Sequence, residues 1–238
     1  MTIRYAVPVL LLGALTACHE SVTSSVDEVV VDTEFTGGST GGWVVEFADY
    51  PEGEEEFYEL ESGVRPLPAP LDTTRRALFV SGSNRSDDLF MYLKRPVEGL
   101  TPGATYRVRF DVEIASNEGS GCVGAGGAPG EAVVVKAGAS AQEPVRALAE
   151  DGLYRLNLDK GNQSTGGKDA VVIGDLANGS DECSGGDYRL KRLQDASVEV
   201  RATADAAGKL WLLLGTDSGY EGITSMYYNR IRVVLQRQ

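Results

Sequence analysis

The sequence predicts an all-β protein, a two-sheet antiparallel β-sandwich formed by one domain over residues 28–238. Short apolar runs are separated by turns rich in Gly, Pro, Asn and Asp, and no stretch keeps a helical period. Residues 105–116 alternate between apolar and polar side chains, which is the pattern of a strand with one buried face. Residues 210–214 are all apolar, which favours a central strand covered on both faces. About eleven or twelve strands at this spacing are typical of a sandwich.

The remaining strands follow from shorter runs. A turn at 99–103, where Pro and Gly set the backbone angles, introduces the strand at 105–116. The last strand is predicted at 225–235, because Tyr227, Ile231 and the apolar residues after them share one face. Alternation at 198–203 and a turn at 205–208 predict a hairpin with the apolar run that follows. Weaker strands are predicted at 29–35, 43–48, 56–61, 77–81, 89–94, 132–137, 154–158 and 169–173.

The N-terminal segment carries a compact motif that ends at a cysteine. Arg4 and the apolar run 6–15 precede two small residues and then Cys18, after which the composition becomes polar. An aliphatic residue, here Leu15, three places before a cysteine resembles the cleavage box of bacterial lipoprotein signals. The alternatives are a buried segment with an incidental cysteine and a short transmembrane helix. The run is shorter than the roughly 20 residues that span a bilayer.

This resemblance implies a lipid-anchored protein of the bacterial cell envelope. Residues 1–17 are then a signal peptide, and Cys18 carries the lipid that contacts the membrane. Residues 18–27 are small and polar, and we predict that they form a flexible tether. His19 stands where an aspartate retains some lipoproteins in an inner membrane, so the outer membrane or the cell surface is favoured.

The charge balance excludes one class of partner. The chain has 35 acidic and 22 basic residues, a net charge of −13 at pH 7. Such a surface is repelled by nucleic-acid phosphates and by anionic lipid headgroups. We therefore expect no nucleic-acid partner, and we expect membrane contact through the lipid alone.

The two remaining cysteines and the only histidine limit the kinds of catalytic and metal sites that the domain can contain. In an oxidising compartment Cys122 and Cys183 are expected to form a disulfide, and two separate buried thiols are the alternative. His19 lies in the predicted tether, so the domain itself has no imidazole. Catalysis through Ser-His-Asp or Cys-His groups and histidine-based zinc sites are therefore excluded.

Two strings carry a second resemblance. GLTPGATYRVRFDVEIAS at 99–116 and MYYNRIRV at 226–233 are similar to segments of jelly-roll, galactose-binding-like and carbohydrate-binding modules. In that family an aspartate usually stands at the position of Asn229. The mature chain as a whole also resembles a group of uncharacterised bacterial lipoproteins. These resemblances imply a β-sandwich that binds a ligand through its surface loops.

Glycan binding needs aromatic rings beside amide or carboxylate groups, because apolar sugar faces stack on rings while hydroxyls need directional partners. Aromatic residues cluster among acidic ones at 43–58, and amide side chains lie in the polar loop at 159–169. Burial in the core is the alternative for each ring. The candidate ligand-binding residues are Trp43, Tyr50, Tyr58, Asn162, Gln163 and Tyr220.

A calcium site is a further hypothesis. Asp217 and Glu221 lie in a Gly-rich loop and could bind calcium through carboxylate oxygens, or they could be exposed turn residues. Asp87 and Asp88 are weaker candidates in an ordinary turn.

Three functions are compatible with these observations. The leading hypothesis is a binding module for a glycan or another extracellular ligand. The alternative is a structural lipoprotein that contacts an envelope protein. A glycosidase with two catalytic carboxylates ranks third, because no motif supports it.

Overall fold

The computed structural model describes residues 20–24, 27–85, 88–183, 185–194 and 198–238. The predicted signal peptide, Cys18 and His19 lie outside the described residues, as does Asp87. No helix in the described part of the chain has the length and apolarity of a membrane span. The described strands are β1 (Glu20–Ser24), β2 (Glu28–Glu34), β3 (Val44–Ala48), β4 (Tyr50–Pro51), β5 (Glu61–Pro66), β6 (Arg76–Ser83), β7 (Leu89–Val97), β8 (Thr105–Ser116), β9 (Val133–Ser140), β10 (Arg146–Leu148), β11 (Leu153–Leu156), β12 (Ala170–Asp175), β13 (Arg189–Leu193), β14 (Val200–Thr203), β15 (Leu210–Ser218) and β16 (Ile223–Arg237).

The larger sheet, sheet A, is organised around β16. One edge of β16 pairs with β8, and the other pairs first with β6 and then with β2. Beyond these, β5 extends the sheet from β6 and β1 extends it from β2, while β13 and β14 pair with the far edge of β8. Every pairing is antiparallel, as the prediction requires.

The second sheet, sheet B, has the order β12-β9-β15-β7-β3 and is also antiparallel. A small third sheet, β10-β11-β4, lies beside its β3 edge. Apolar residues from the inner faces of sheets A and B form one continuous core. The two-sheet antiparallel β-sandwich predicted from the sequence is therefore confirmed.

The two best-defined strand predictions are also confirmed. In β8 the apolar side chains of Val108, Val112 and Ile114 are buried, and the polar side chains between them face outward. In β15 the inner face packs into the main core, while Leu213 on the outer face packs with Phe90 of β7 in a second cluster. That cluster is closed from outside by the segment after β11. β15 is therefore a central strand that is covered on both faces.

Some predictions were wrong in position or pairing. The predicted hairpin does not form, because β14 pairs with β8 whereas β15 pairs with β7 and β9. The strand predicted at 56–61 is a turn, in which the Tyr58 amide donates to the Glu54 carbonyl and Glu59 has a φ of 51°. The strand begins instead at Glu61 and pairs with β6. Residues 20–24, within the predicted tether, form β1 on the edge of β2. The sequence of β1 is short and polar, so it carries no apolar pattern that would predict a strand. Its backbone hydrogen bonds to β2 define it as one.

Candidate functional site

A cleft of about 470 Å³ opens between the β3 edge of sheet B and the small third sheet. Its walls come from β3, from the turn that precedes β5 and from the start of β10. Apolar and charged side chains alternate around it, because one face of β3 points to the core and the other to solvent. The residues that line the cleft are Val45, Glu46, Phe47, Tyr50, Glu55, Leu60, Val145 and Arg146.

On one side of the cleft, a tyrosine hydroxyl, a carboxylate and a guanidinium group contact one another. The Tyr50 hydroxyl donates to Glu55 Oε1 at 3.2 Å and receives a hydrogen bond from the Arg146 guanidinium. That guanidinium also lies 4.3 Å from the centre of the Tyr154 ring, a cation–π distance. Burial raises the pKa of Tyr50 to about 12, so its hydroxyl keeps its proton at neutral pH. The Glu55 carboxylate and the Arg146 guanidinium are thus held in place, and both remain exposed to a ligand.

The carboxylate of Glu46 lies on the other side of the cleft. It accepts a hydrogen bond of 2.5 Å from the Tyr92 hydroxyl and lies 2.7 Å from Lys94 Nζ. Lys94 also lies 2.9 Å from Glu143. Two donors from the neighbouring strand β7 therefore fix the orientation of Glu46, which remains 27% exposed at the cleft.

The structure separates the aromatic residues predicted to bind a ligand. Tyr50 is among the residues that line the cleft, but its side chain is fully buried and its hydroxyl is bonded to Glu55 and Arg146. Tyr58 packs behind it at 5.6 Å between ring centres and is 2% exposed. Trp43 is 1% exposed, packs into the main core and donates from Nε1 to Thr33 Oγ1 at 3.3 Å. An exposed platform of these rings, as hypothesised, is therefore not present.

The predicted loop residues lie at another place. The Gln163 side chain lies against Gly219, so the loop carrying Asn162 and Gln163 contacts the loop carrying Tyr220. The Tyr220 ring is half-buried and packs so closely on Gly124 that a Cβ there would come within 2.6 Å of it. None of these three predicted residues is among those lining the cleft.

A second polar group is buried on the outer face of sheet B. Lys136 of β9 and Asp217 of β15 have fully buried side chains, with 2.6 Å between Nζ and Oδ2. Lys160 Nζ lies 2.7 Å from the same Asp217 oxygen, 3.1 Å from Asp49 Oδ2 and 3.6 Å from Asp88 Oδ1. Burial lowers the pKa of Lys136 and raises that of Asp88 to about 7. We refer to these five residues as the buried charge cluster.

Of the two residues predicted to bind calcium, only Asp217 belongs to this cluster. Asp49, Asp88 and Asp217 each offer an oxygen, all within 4.8 Å of one another, which is a spacing that a metal ion could bridge. The ammonium group of Lys160 contacts all three carboxylates. Lys136 beside Asp217 and Arg155 beside Asp49 add further positive charge there. Glu221 is exposed and is not part of the group.

The predicted disulfide is confirmed. Cys122 and Cys183 are bonded, with their Cα atoms 5.4 Å apart. The bond joins two Gly-rich loops, and the Ser120 amide donates to the Ser180 carbonyl nearby.

Asp217 and Asp88 of the cluster were predicted candidates, but its other members and the charged residues of the cleft were not predicted from the sequence. Glu46 and Lys136 each interrupt an otherwise apolar strand, VVEFA and VVVKAGA, and that signal could have been recognised. Arg146 lies in an exposed strand of three residues, and its sequence neighbourhood carries no comparable signal.

This chain has only low similarity to known proteins. No family model matches the chain, and no curated protein matches it. Among solved structures, TmCBM27, a carbohydrate-binding module described in work on mannan recognition, is 12% identical; the match covers 92% of this chain and 99% of that chain, with a TM-score of 0.39. TmCBM61, solved with β-1,4-galactotriose, is 12% identical over 86% and 94% of the two chains, with a TM-score of 0.37. A putative sugar binding protein from Bacteroides thetaiotaomicron is 9% identical over 86% and 92%, with a TM-score of 0.38.

The chain also matches the enzymatically active domain of tailspike protein 4 from bacteriophage CBA120, at 10% identity and a TM-score of 0.36. That match covers 84% of this chain but only 20% of the tailspike chain. No family assignment follows.

Proposed function

We propose that this protein is a lipid-anchored binding module of the bacterial cell envelope and that it binds a neutral glycan in the cleft beside β3. The observation that carries the proposal is the composition of the cleft. Apolar walls from Val45, Phe47 and Leu60 face fixed polar groups of Glu46, Glu55 and Arg146. Sugars present the same two kinds of surface, apolar C–H faces and ring hydroxyls.

The charges of the cleft favour a neutral ligand. Each carboxylate is accompanied by a cation, Glu46 by Lys94 at 2.7 Å and Glu55 by Arg146 at 4.0 Å. The chain as a whole carries a net charge of −13, which disfavours the approach of an anionic polysaccharide. Hydroxyl groups can accept from the guanidinium and donate to the carboxylates without introducing a new charge.

The experiment is a binding panel. The purified full chain is incubated with neutral glycans, and the retained and released sugars are identified by mass spectrometry. Retention of an intact glycan supports the proposal. Released fragments would reassign the protein as a glycosidase, and no retention of any neutral glycan would overturn the proposal.

Variants locate the site. Arg146→Met removes a charged donor worth about 1.5–3 kcal/mol, so we expect the affinity to fall by roughly ten- to a hundredfold. Tyr50→Phe removes one neutral hydroxyl, and we expect a smaller, few-fold loss. Arg189→Met is the matched control, because Arg189 is an exposed arginine on β13 of the other sheet. Unchanged affinity in Arg146→Met would place the ligand elsewhere.

The membrane anchor is tested separately. Cys18→Ser removes the residue that the lipoprotein motif would modify, so we expect the protein to move from the membrane fraction to the soluble fraction. An unchanged membrane association would contradict the anchor while leaving the glycan result unaffected.

A further inference from the structure

The buried charge cluster has a feature that neither the glycan cleft nor the fold requires. Lys136 and Asp217 lie on adjacent central strands of sheet B, and both side chains point to the outer face. In the antiparallel register Lys136 is opposite Gly215, so the two side chains approach each other diagonally. Their functional groups are 2.6 Å apart and have no exposed surface. An amine and a carboxyl group are thus held in contact away from water.

The two lysines of the cluster differ in their surroundings. Lys160 contacts three carboxylates, and its ammonium lies 5.0 Å from the centre of the Phe90 ring. Lys136 contacts one carboxylate, that of Asp217, and donates its other hydrogen bond to the Lys160 carbonyl at 2.9 Å. The environment therefore stabilises the charge of Lys160 far more than that of Lys136. Lys136 is the lysine that can lose its proton.

A buried ion pair loses the hydration of both ions, and their attraction often repays that loss only in part. Conversion of such a pair into an amide removes both charges and keeps one donor and one acceptor for hydrogen bonding. Water is excluded from this position by the loop at 157–169 and by the apolar residues beneath it. Exclusion of water favours condensation over hydrolysis.

We propose that Lys136 and Asp217 form an intramolecular isopeptide cross-link. The Lys136 ammonium first transfers a proton to the Asp217 carboxylate that it contacts. The neutral Nζ then attacks Cγ of Asp217, a new N–C bond forms, and a C–O bond of the carboxyl group breaks. The oxygen leaves as one molecule of water, which takes up one hydrogen from Nζ and the carboxyl proton. The step needs no oxidant and no further reactant.

Two neighbours have defined parts in this reaction. The Lys160 ammonium, 2.7 Å from Asp217 Oδ2, stabilises the negative charge that develops on oxygen during the attack. Asp88, which contributes an oxygen within 4.8 Å of an oxygen of Asp217, donates a proton to the departing oxygen and regains the proton that Nζ releases. Both remain unchanged at the end of the reaction.

Peptide mapping of the full chain tests the cross-link. After reduction of the disulfide, trypsin cannot cleave at an acylated Lys136. We therefore expect residues 110–146 and 210–230 as one branched species, lighter by one water than the sum of the two peptides. The unreduced digest, with Cys122 joined to Cys183, verifies that the sample was natively folded. Free peptides 110–136 and 210–230 in full yield from folded protein would overturn the proposal.

Single substitutions test the roles proposed for Lys136 and Asp88 in the cross-link. Lys136→Arg keeps the positive charge but gives no amide, so we expect peptide 210–230 to be recovered free. Asp88→Asn should leave most of the chain uncross-linked, and Asp151→Asn, which removes an exposed carboxylate near the cluster, is the control. Attachment of 210–230 to 156–168 instead would identify Lys160 as the nucleophile and overturn the assignment of Lys136.

Discussion

Substitution of Trp43 distinguishes a core residue from a ligand-binding residue. A buried tryptophan removes roughly 150–250 Å² from water, worth about 4–6 kcal/mol at about 25 cal/mol per Å². Alanine retains part of that burial, and the neighbouring side chains relax into part of the space. We therefore expect Trp43→Ala to lower the free energy of unfolding by about 3–5 kcal/mol.

Trp43→Phe divides this effect into its parts. The ring remains in the core, but the hydrogen bond to Thr33 Oγ1 is lost. Thr33 still accepts from Arg95 Nη1 at 2.9 Å, so no buried acceptor is left without a partner. We expect a loss of about 1–2 kcal/mol for this variant. Trp211→Ala is the matched control, since Trp211 is only half-buried on the outer face of β15 and should lose less than Trp43→Ala.

The assay is urea unfolding followed by far-ultraviolet circular dichroism, because removal of a tryptophan alters the fluorescence signal itself. Glycan affinity is measured on the folded protein. A loss below about 1 kcal/mol for Trp43→Ala would refute the burial argument. Retained stability with lost glycan binding would return Trp43 to the role of a stacking platform.

Three further predictions concern the disulfide, the calcium hypothesis and a half-buried carboxyl group. Replacement of Cys122 and Cys183 by serine opens a loop with a sequence separation of 61, and we expect about 4 kcal/mol lower stability in urea unfolding. An unchanged midpoint would show that the two loops are held by other contacts. Calcium should not raise the melting temperature, because two lysines already contact Asp217; a rise that Asp217→Asn and Glu221→Gln both abolish would establish the predicted calcium pair. Burial raises the pKa of Glu118 above its ordinary value of 4.5, so the folded protein holds a proton that the unfolded chain releases. Stability should therefore fall as the pH rises from that ordinary value through the raised one, and Glu118→Gln should flatten this dependence.

The sequence predicted those parts of the fold in which one physical rule acts alone. Alternation along 105–116 gave β8 with its bounds, because a strand with one buried face needs that period. The uniformly apolar run at 210–214 gave a central strand, because only burial on both faces accommodates it. Cysteine parity gave the disulfide, since only two cysteines remained for the domain.

The sequence could not predict features that depend on long-range pairing. The edge strands β1 and β13 are short and lack a regular apolar alternation, so only their pairing with β2 and β8 defines them. The cleft combines Glu46 with Arg146, 100 positions further along the chain, because the small third sheet folds against the β3 edge. The aromatic candidates illustrate the same difficulty. Trp43 and Tyr50 are close in sequence, but one side chain enters the core and the other reaches the cleft.

The positions of β15 and β16 in the two sheets determine when this protein can fold. β15 and β16 follow the other strands in the described part of the chain, yet they are the central ones. β15 lies between β9 and β7, and β16 pairs with β8 on one edge and with β6 and then β2 on the other. Without them the earlier strands of both sheets are left as isolated pairs and small groups. Residues 210–237 are synthesised after all of their partner strands, so both sheets can be completed only once this segment has been made.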